Sequence, residues 1–89
     1  VSVRLRIGGL YSGEAKHEQA IAFFNETVRL FPDSRLAFNS LGGSYDAAGM
    51  PKDALAAYKQ ALSLARKQNA AAVPFYEGRV EAMEAKLAE

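Results

Sequence analysis

The side chains able to do chemistry are few and poorly placed to cooperate. The one histidine, His17, has Glu14 and Glu18 as its nearest acids in the chain. Metal binding or general acid–base catalysis needs partners at fixed spacing, either a set of ligands or a base with its orienting group. No such set accompanies His17, which is therefore expected at the solvated surface. The serines are scattered, with no strand-turn-helix elbow and no second imidazole to act as base. Gly8-Gly9 and Gly42-Gly43 have the small residues of a phosphate loop, but they fall inside helical periodicity, with no strand before them and no Lys after. Cysteine is absent, which excludes disulfides, thiolate catalysis and Cys-based zinc sites. The chain therefore reads as non-catalytic, with no cofactor and no metal.

Charge gives little more. Residues 35 to 68 carry five basic and two acidic groups, and residues 69 to 89 carry two and four. Arg66-Lys67 is a short cluster at a helix end, where the helix dipole favours cations anyway, whereas nucleic-acid binding needs a sustained basic face. Nucleic acid is not expected as a partner. The longest run without a charged residue, Leu36 to Tyr45, contains Asn, Ser and Gly and is far shorter than the roughly 18 residues of a membrane span. Tyr11, Tyr45 and Tyr58 resemble an aromatic binding stripe but recur at positions better suited to core packing.

The 89 residues, 49% hydrophobic and 24% charged with a net charge of +1, are too apolar for disorder and allow one small domain. The first residue is Val, which sets the expectation of a processed product or a piece of a longer protein. Sliding the chain by 34 aligns Gly8 with Gly42, Gly9 with Gly43, Tyr11 with Tyr45, Ala20 with Ala54, Ala22 with Ala56 and Leu30 with Leu64. Ile7 and Leu41, Ile21 and Leu55, Phe24 and Tyr58, Thr27 and Ala61, and Val28 and Leu62 are conservative pairs at the same offset. The matches concentrate at small and apolar positions, as shared packing would require.

Each unit reads as two helices. Leu41, Tyr45 and Ala48 form one stripe at helical spacing, and Leu55, Tyr58, Ala61, Leu62 and Ala65 form another. Between them, Gly49 suits a left-handed helix end, Pro51 a first turn, and Asp53 the positive end of the next helix. Phe31-Pro32-Asp33-Ser34 stops one unit and caps a helix beginning near Arg35. From about Pro74, the stripe Tyr76, Val80, Met83 and Leu87 and a wet face of Glu77, Glu81, Glu84, Lys86 and Glu89 predict one amphipathic helix. The expected division is residues 1–34, residues 35–68 and a capping helix in residues 69–89, about five helices in all.

Ile7-Gly8, Tyr11, Ala20, Phe24 and Pro32, repeated as Leu41-Gly42, Tyr45, Ala54, Tyr58 and Ala61, resemble two tetratricopeptide repeats. The resemblance implies an all-α fold, a short right-handed superhelical solenoid, and a non-catalytic role in binding a partner protein or peptide in a concave groove. By register, the groove candidates are Leu5, Gly9 and Ser12 from the first helix and Leu36, Asn39, Gly43 and Asp46 from the third. Gly9 and Gly43 are either tolerated surface glycines or points where a partner's backbone comes close. Many relatives grip a terminal carboxylate with Lys, Asn and Arg, but here the corresponding residues are Leu5, Gly9, Ser40 and Ala70 or Pro74, so that clamp is not expected.

Val1, Val3 and Leu10 make the first helix more apolar than a free solenoid end should be, which suggests self-association as a homodimer or contact with an adjacent domain. Phe31-Pro32-Asp33-Ser34 with Phe38-Asn39-Ser40-Leu41-Gly42 is also similar to repeat tails of bacterial hydrolases of the esterase and penicillin-recognising types. That likeness implies an alternative role as a C-terminal accessory or oligomerisation domain of such an enzyme.

Small residues at positions 42 and 54 let paired helices approach, and a larger side chain there should force them apart. Ala54→Leu is expected to lose roughly 1 to 3 kcal/mol by overpacking; an unchanged thermal midpoint would contradict the pairing.

Overall fold

The computed structural model describes residues 16–89. Those residues form four helices, α1 (His17–Leu30), α2 (Arg35–Ala47), α3 (Pro51–Lys67) and α4 (Val73–Ala88), with no strand among them. They occupy the places of the second to fifth expected helices, and the first expected helix lies outside the described residues. The architecture is all-α, a short helical repeat solenoid in which each helix packs on the next along the chain.

Apolar spacing selects the buried faces. Ala20, Phe24 and Thr27 of α1, and Ala37, Leu41 and Ser44 of α2, recur at four and three and are buried. Along α3, Ala54, Ala57, Tyr58, Ala61, Leu62 and Ala65 are buried, a wide stripe for a helix packed on both sides. Tyr76, Val80 and Met83 are the buried stripe of α4. The buried Thr and Ser hydroxyls are satisfied inside their own helices: Thr27 Oγ1 donates to the Phe23 carbonyl at 2.8 Å and Ser44 Oγ to the Ser40 carbonyl at 3.1 Å.

Helix ends follow from named residues. The Ala37 amide donates to Ser34 Oγ at 3.2 Å, capping α2. At the other end of α2 the Gly49 amide donates to the Asp46 carbonyl and the Met50 amide to the Tyr45 carbonyl, with Gly49 at φ +74°. This is a Schellman closure, and Pro51 then opens α3. Helix α3 ends in the same way without a glycine: Asn69 takes φ +51°, while its amide reaches the Arg66 carbonyl and the Ala70 amide reaches the Ala65 carbonyl. Asn tolerates this left-handed position better than most residues. The Gln68 side chain, just before it, donates to the Asp33 carbonyl at 2.8 Å and accepts from Arg35, tying the end of α3 to the start of α2.

Two apolar clusters share the α2–α3 pair. Ala20, Phe24, Leu41 and Ala57 join α1 to α2 and α3. Ala54, Tyr58, Ala61, Leu62, Ala65, Tyr76, Val80 and Met83 join α3 to α4, with Tyr45 packed against both clusters. The closest approach is between Gly42 and Tyr58. A Cβ at Gly42 would stand 2.6 to 2.9 Å from three atoms of the Tyr58 ring, whereas one at Gly43 would meet only the Tyr58 hydroxyl, at 3.8 Å.

Two expectations are corrected. Leu87 continues the apolar spacing of the last helix but is 45% exposed, because the stripe loses its covering partner after Met83. Leu30, one of the repeated identities, is 46% exposed at the end of α1, so not every matched apolar position is a core position.

The adjacent glycines of α2 should respond oppositely to alanine. Alanine gains roughly 1 kcal/mol of helix propensity at either site, but at position 42 its Cβ overlaps a buried ring that has no room to move, an overpacking cost of about 1 to 3 kcal/mol. Gly42→Ala is expected to lower stability in urea titration and Gly43→Ala to leave it equal or raise it by up to about 1 kcal/mol. Equal effects at the two positions would contradict the packing.

Candidate functional site

Of the groove candidates, Leu5, Gly9 and Ser12 lie outside the described residues, as do the self-association candidates Val1, Val3 and Leu10. The other four are all on α2. Leu36, Asn39, Gly43 and Asp46 are spaced three, four and three apart and share one face. Leu36 is 51% exposed. Asn39 is half-buried, with its Oδ1 shielded and without a hydrogen-bond partner. Asp46 accepts an ion-paired hydrogen bond from Lys86 on α4, forty residues along the chain.

That contact brings in a second stripe. On α4, Phe75, Arg79, Ala82 and Lys86 are spaced four, three and four apart, and the last of them touches the last of the α2 stripe. Both helices run antiparallel to α3: Gln68 at its C-terminal end meets Arg35 at the start of α2, and Arg66 pairs with Glu77 in the early turns of α4 at 3.2 Å. Helices α2 and α4 are therefore parallel, and their facing stripes flank Tyr58 of α3. Phe75 is 48% exposed, and the Arg79 guanidinium lies 4.9 Å from the centre of its ring.

Tyr58 links the stripes from below. Only 2% of it is exposed, its hydroxyl lies under Gly43, and it forms no hydrogen bond with the described residues. Burial raises its pKa above the ordinary 10.0; Arg79 opposes the rise most among nearby charges, Asp46 adds to it and Lys86 opposes it. All three charges are thus close enough to act on this phenol.

Sequence reasoning singled out the α2 stripe and missed Tyr58, Phe75 and Arg79 as members of this surface, while Lys86 was assigned to the wet face. The α4 spacing was readable, but not the neighbour it faced. His17, expected at the solvated surface, is half-buried, with its Nδ1 shielded and without a hydrogen bond. It lines an open hollow with Lys16, Ile21, Ala48 and Met50 at the N-terminal end of α1. No cluster of three or more His, Cys, Asp or Glu that could hold a metal occurs among the described residues, and no described helix is long and apolar enough to cross a membrane.

The raised Tyr58 pKa has a stability consequence. The folded state holds this proton more tightly than the unfolded chain, so the contribution is complete below pH 10.0 and is lost as pH rises past that value. Unfolding titrations between about pH 8 and about pH 11 should show the native chain losing more stability than Tyr58→Phe. Parallel pH profiles would contradict a buried neutral phenol.

Two family models, both described as tetratricopeptide repeat, match the chain, one over residues 2–34 and the other over residues 37–68. No curated protein matches it. Repeats of this kind serve in general as protein–protein interaction modules, typically as non-catalytic scaffolds that bind protein partners. The second match contains α3, all but the first two residues of α2 and the Gly42–Tyr58 contact, the first contains α1, and together they span most of the sequence. The chain belongs to the tetratricopeptide repeat family.

Proposed function

We propose that the chain is a non-catalytic interaction module made of two repeats, residues 1–34 and 35–68, and a capping helix within residues 69–89. In this reading it holds an extended segment of a partner protein against the face shared by α2 and α4. Leu36, Asn39, Gly43 and Asp46 form one wall, and Leu5, Gly9 and Ser12 extend the surface onto the first repeat by their register.

Gly43 carries the reading. Packing accounts for Gly42, whose Cβ would overlap Tyr58, but not for Gly43, where a Cβ fits at ordinary contact distance. A glycine inside a helix costs roughly 1 kcal/mol relative to alanine. A partner backbone lying across α2 gives that cost a function, because the absent side chain lets it approach the Tyr58 hydroxyl. A preformed helical surface also avoids the ordering entropy that a flexible receptor would lose on binding.

Display of a random peptide library against the native chain tests this, with Gly43→Leu to fill the face and Ala56→Leu as a control at an exposed position on α3. Selected peptides are expected to lose about tenfold in affinity, roughly 1.4 kcal/mol, to Gly43→Leu and little to Ala56→Leu. Failure to select any peptide, or equal binding to both variants with helical content unchanged, would overturn the assignment.

A further inference from the structure

The charges on the α2–α4 face do not balance. Lys86 is paired with Asp46, and Glu77, on another side of α4, is paired with Arg66. Arg79 forms no ion pair with the described residues and stacks on Phe75. A guanidinium over an aromatic ring is held in position and partly dehydrated, with its forked donors directed away from the ring. Tyr58, whose phenol feels the Arg79 charge, likewise forms no hydrogen bond with the described residues. At the far end from the Asp46–Lys86 pair, Leu36 and Phe75 each expose about half of their surface. The face thus has an apolar end, a cationic middle and a neutralised end.

We infer that the segment this face accepts carries an internal Asp or Glu close to an apolar side chain, the carboxylate pairing with Arg79 and the apolar group covering Leu36 and Phe75. This rests on the reading of the face as a binding surface and adds the chemistry of its ligand. Charge complementarity decides the occupant, since the surplus group is a cation with a planar fork that matches a carboxylate in two parallel hydrogen bonds. A side-chain carboxylate fits better than a chain terminus. Terminal carboxylates are captured where several donors converge, commonly backbone amides, whereas the amides of α2 and α4 beside Arg79 are committed within their helices. Burial keeps the Tyr58 phenol protonated, so its hydroxyl remains a donor toward the same anion.

A positional-scanning library of acetylated, amidated decapeptides, followed by fluorescence anisotropy on individual sequences, tests the inference. Enrichment of Asp or Glu within about four residues of an aromatic or aliphatic residue is expected. Exchanging that Glu for Gln should weaken binding about three- to tenfold, a range set by the partial exposure of Arg79. Arg79→Gln should abolish the difference between the Glu and Gln peptides, Arg79→Lys should keep its sign, and the difference should shrink between about 50 and about 500 mM salt. Peptides that respond to Gly43→Leu but show no acidic preference overturn the inference and leave the binding face standing. Peptides indifferent to Gly43→Leu remove the face itself. Tighter binding of free-acid than amidated peptides, or a dimer of the native chain dispersed by Arg79→Gln, assigns Arg79 to a chain terminus or a second copy and also overturns the inference.

Discussion

The fold turns on the edge of one aromatic ring lying against a residue that has no side chain. Tyr58 occupies the space where a Cβ at Gly42 would stand, so α2 and α3 approach more closely there than two helices with ordinary side chains at the contact. Ala54 and Ala61, fully buried on the same face of α3, keep the rest of that approach unobstructed. The ring then serves α4 from its other side, in one cluster with Tyr76, Val80 and Met83. A single side chain thus sets two helix-helix spacings, and a shift in it is felt across most of the stack.

The same placement determines what the surface can do. Because the ring lies against Gly42, its hydroxyl reaches to beneath Gly43. Asp46, Arg79 and Lys86 all act electrostatically on that phenol. Packing demands on the adjacent glycines are therefore separable: a Cβ is excluded at Gly42 and accommodated at Gly43. A phenol is also among the few side chains that can fill an apolar gap and still present a polar tip.

Much of this was legible in the chain. The offset of 34 residues locates the helices, Ser34, Gly49 and Pro51 mark their ends, and the small residues at positions 42 and 54 anticipate the α2–α3 contact. Sequence patterns failed where a property depended on the third dimension. The spacing of Phe75, Arg79 and Lys86 shows that they share a side of α4, but which helix that side faces depends on the angle at which α4 meets α3. Residues 69–89 do not repeat the earlier pattern, so no register could be carried over to them. Asn69 is not legible as a helix stop because glycine is the usual mark of a left-handed helix end. Leu87 kept the period of a buried stripe because periodicity records the direction of a side chain and not whether anything covers it.

The Asp46–Lys86 contact joins helices that are not consecutive in the chain, whereas the main packing runs between sequence neighbours. Neighbouring helices can form and dock by closing short loops, which keeps contact order low and the search brief. The α2–α4 face has no such local origin, since neither wall stands in place until α3 is seated between them. It belongs to the stack and to no single repeat, so a chain with α4 detached retains most of its helix but has lost that surface. Any ligand spanning both walls therefore draws its affinity from the completed stack and returns stability to it by mass action. Occupancy and cohesion of the array are two readings of one equilibrium.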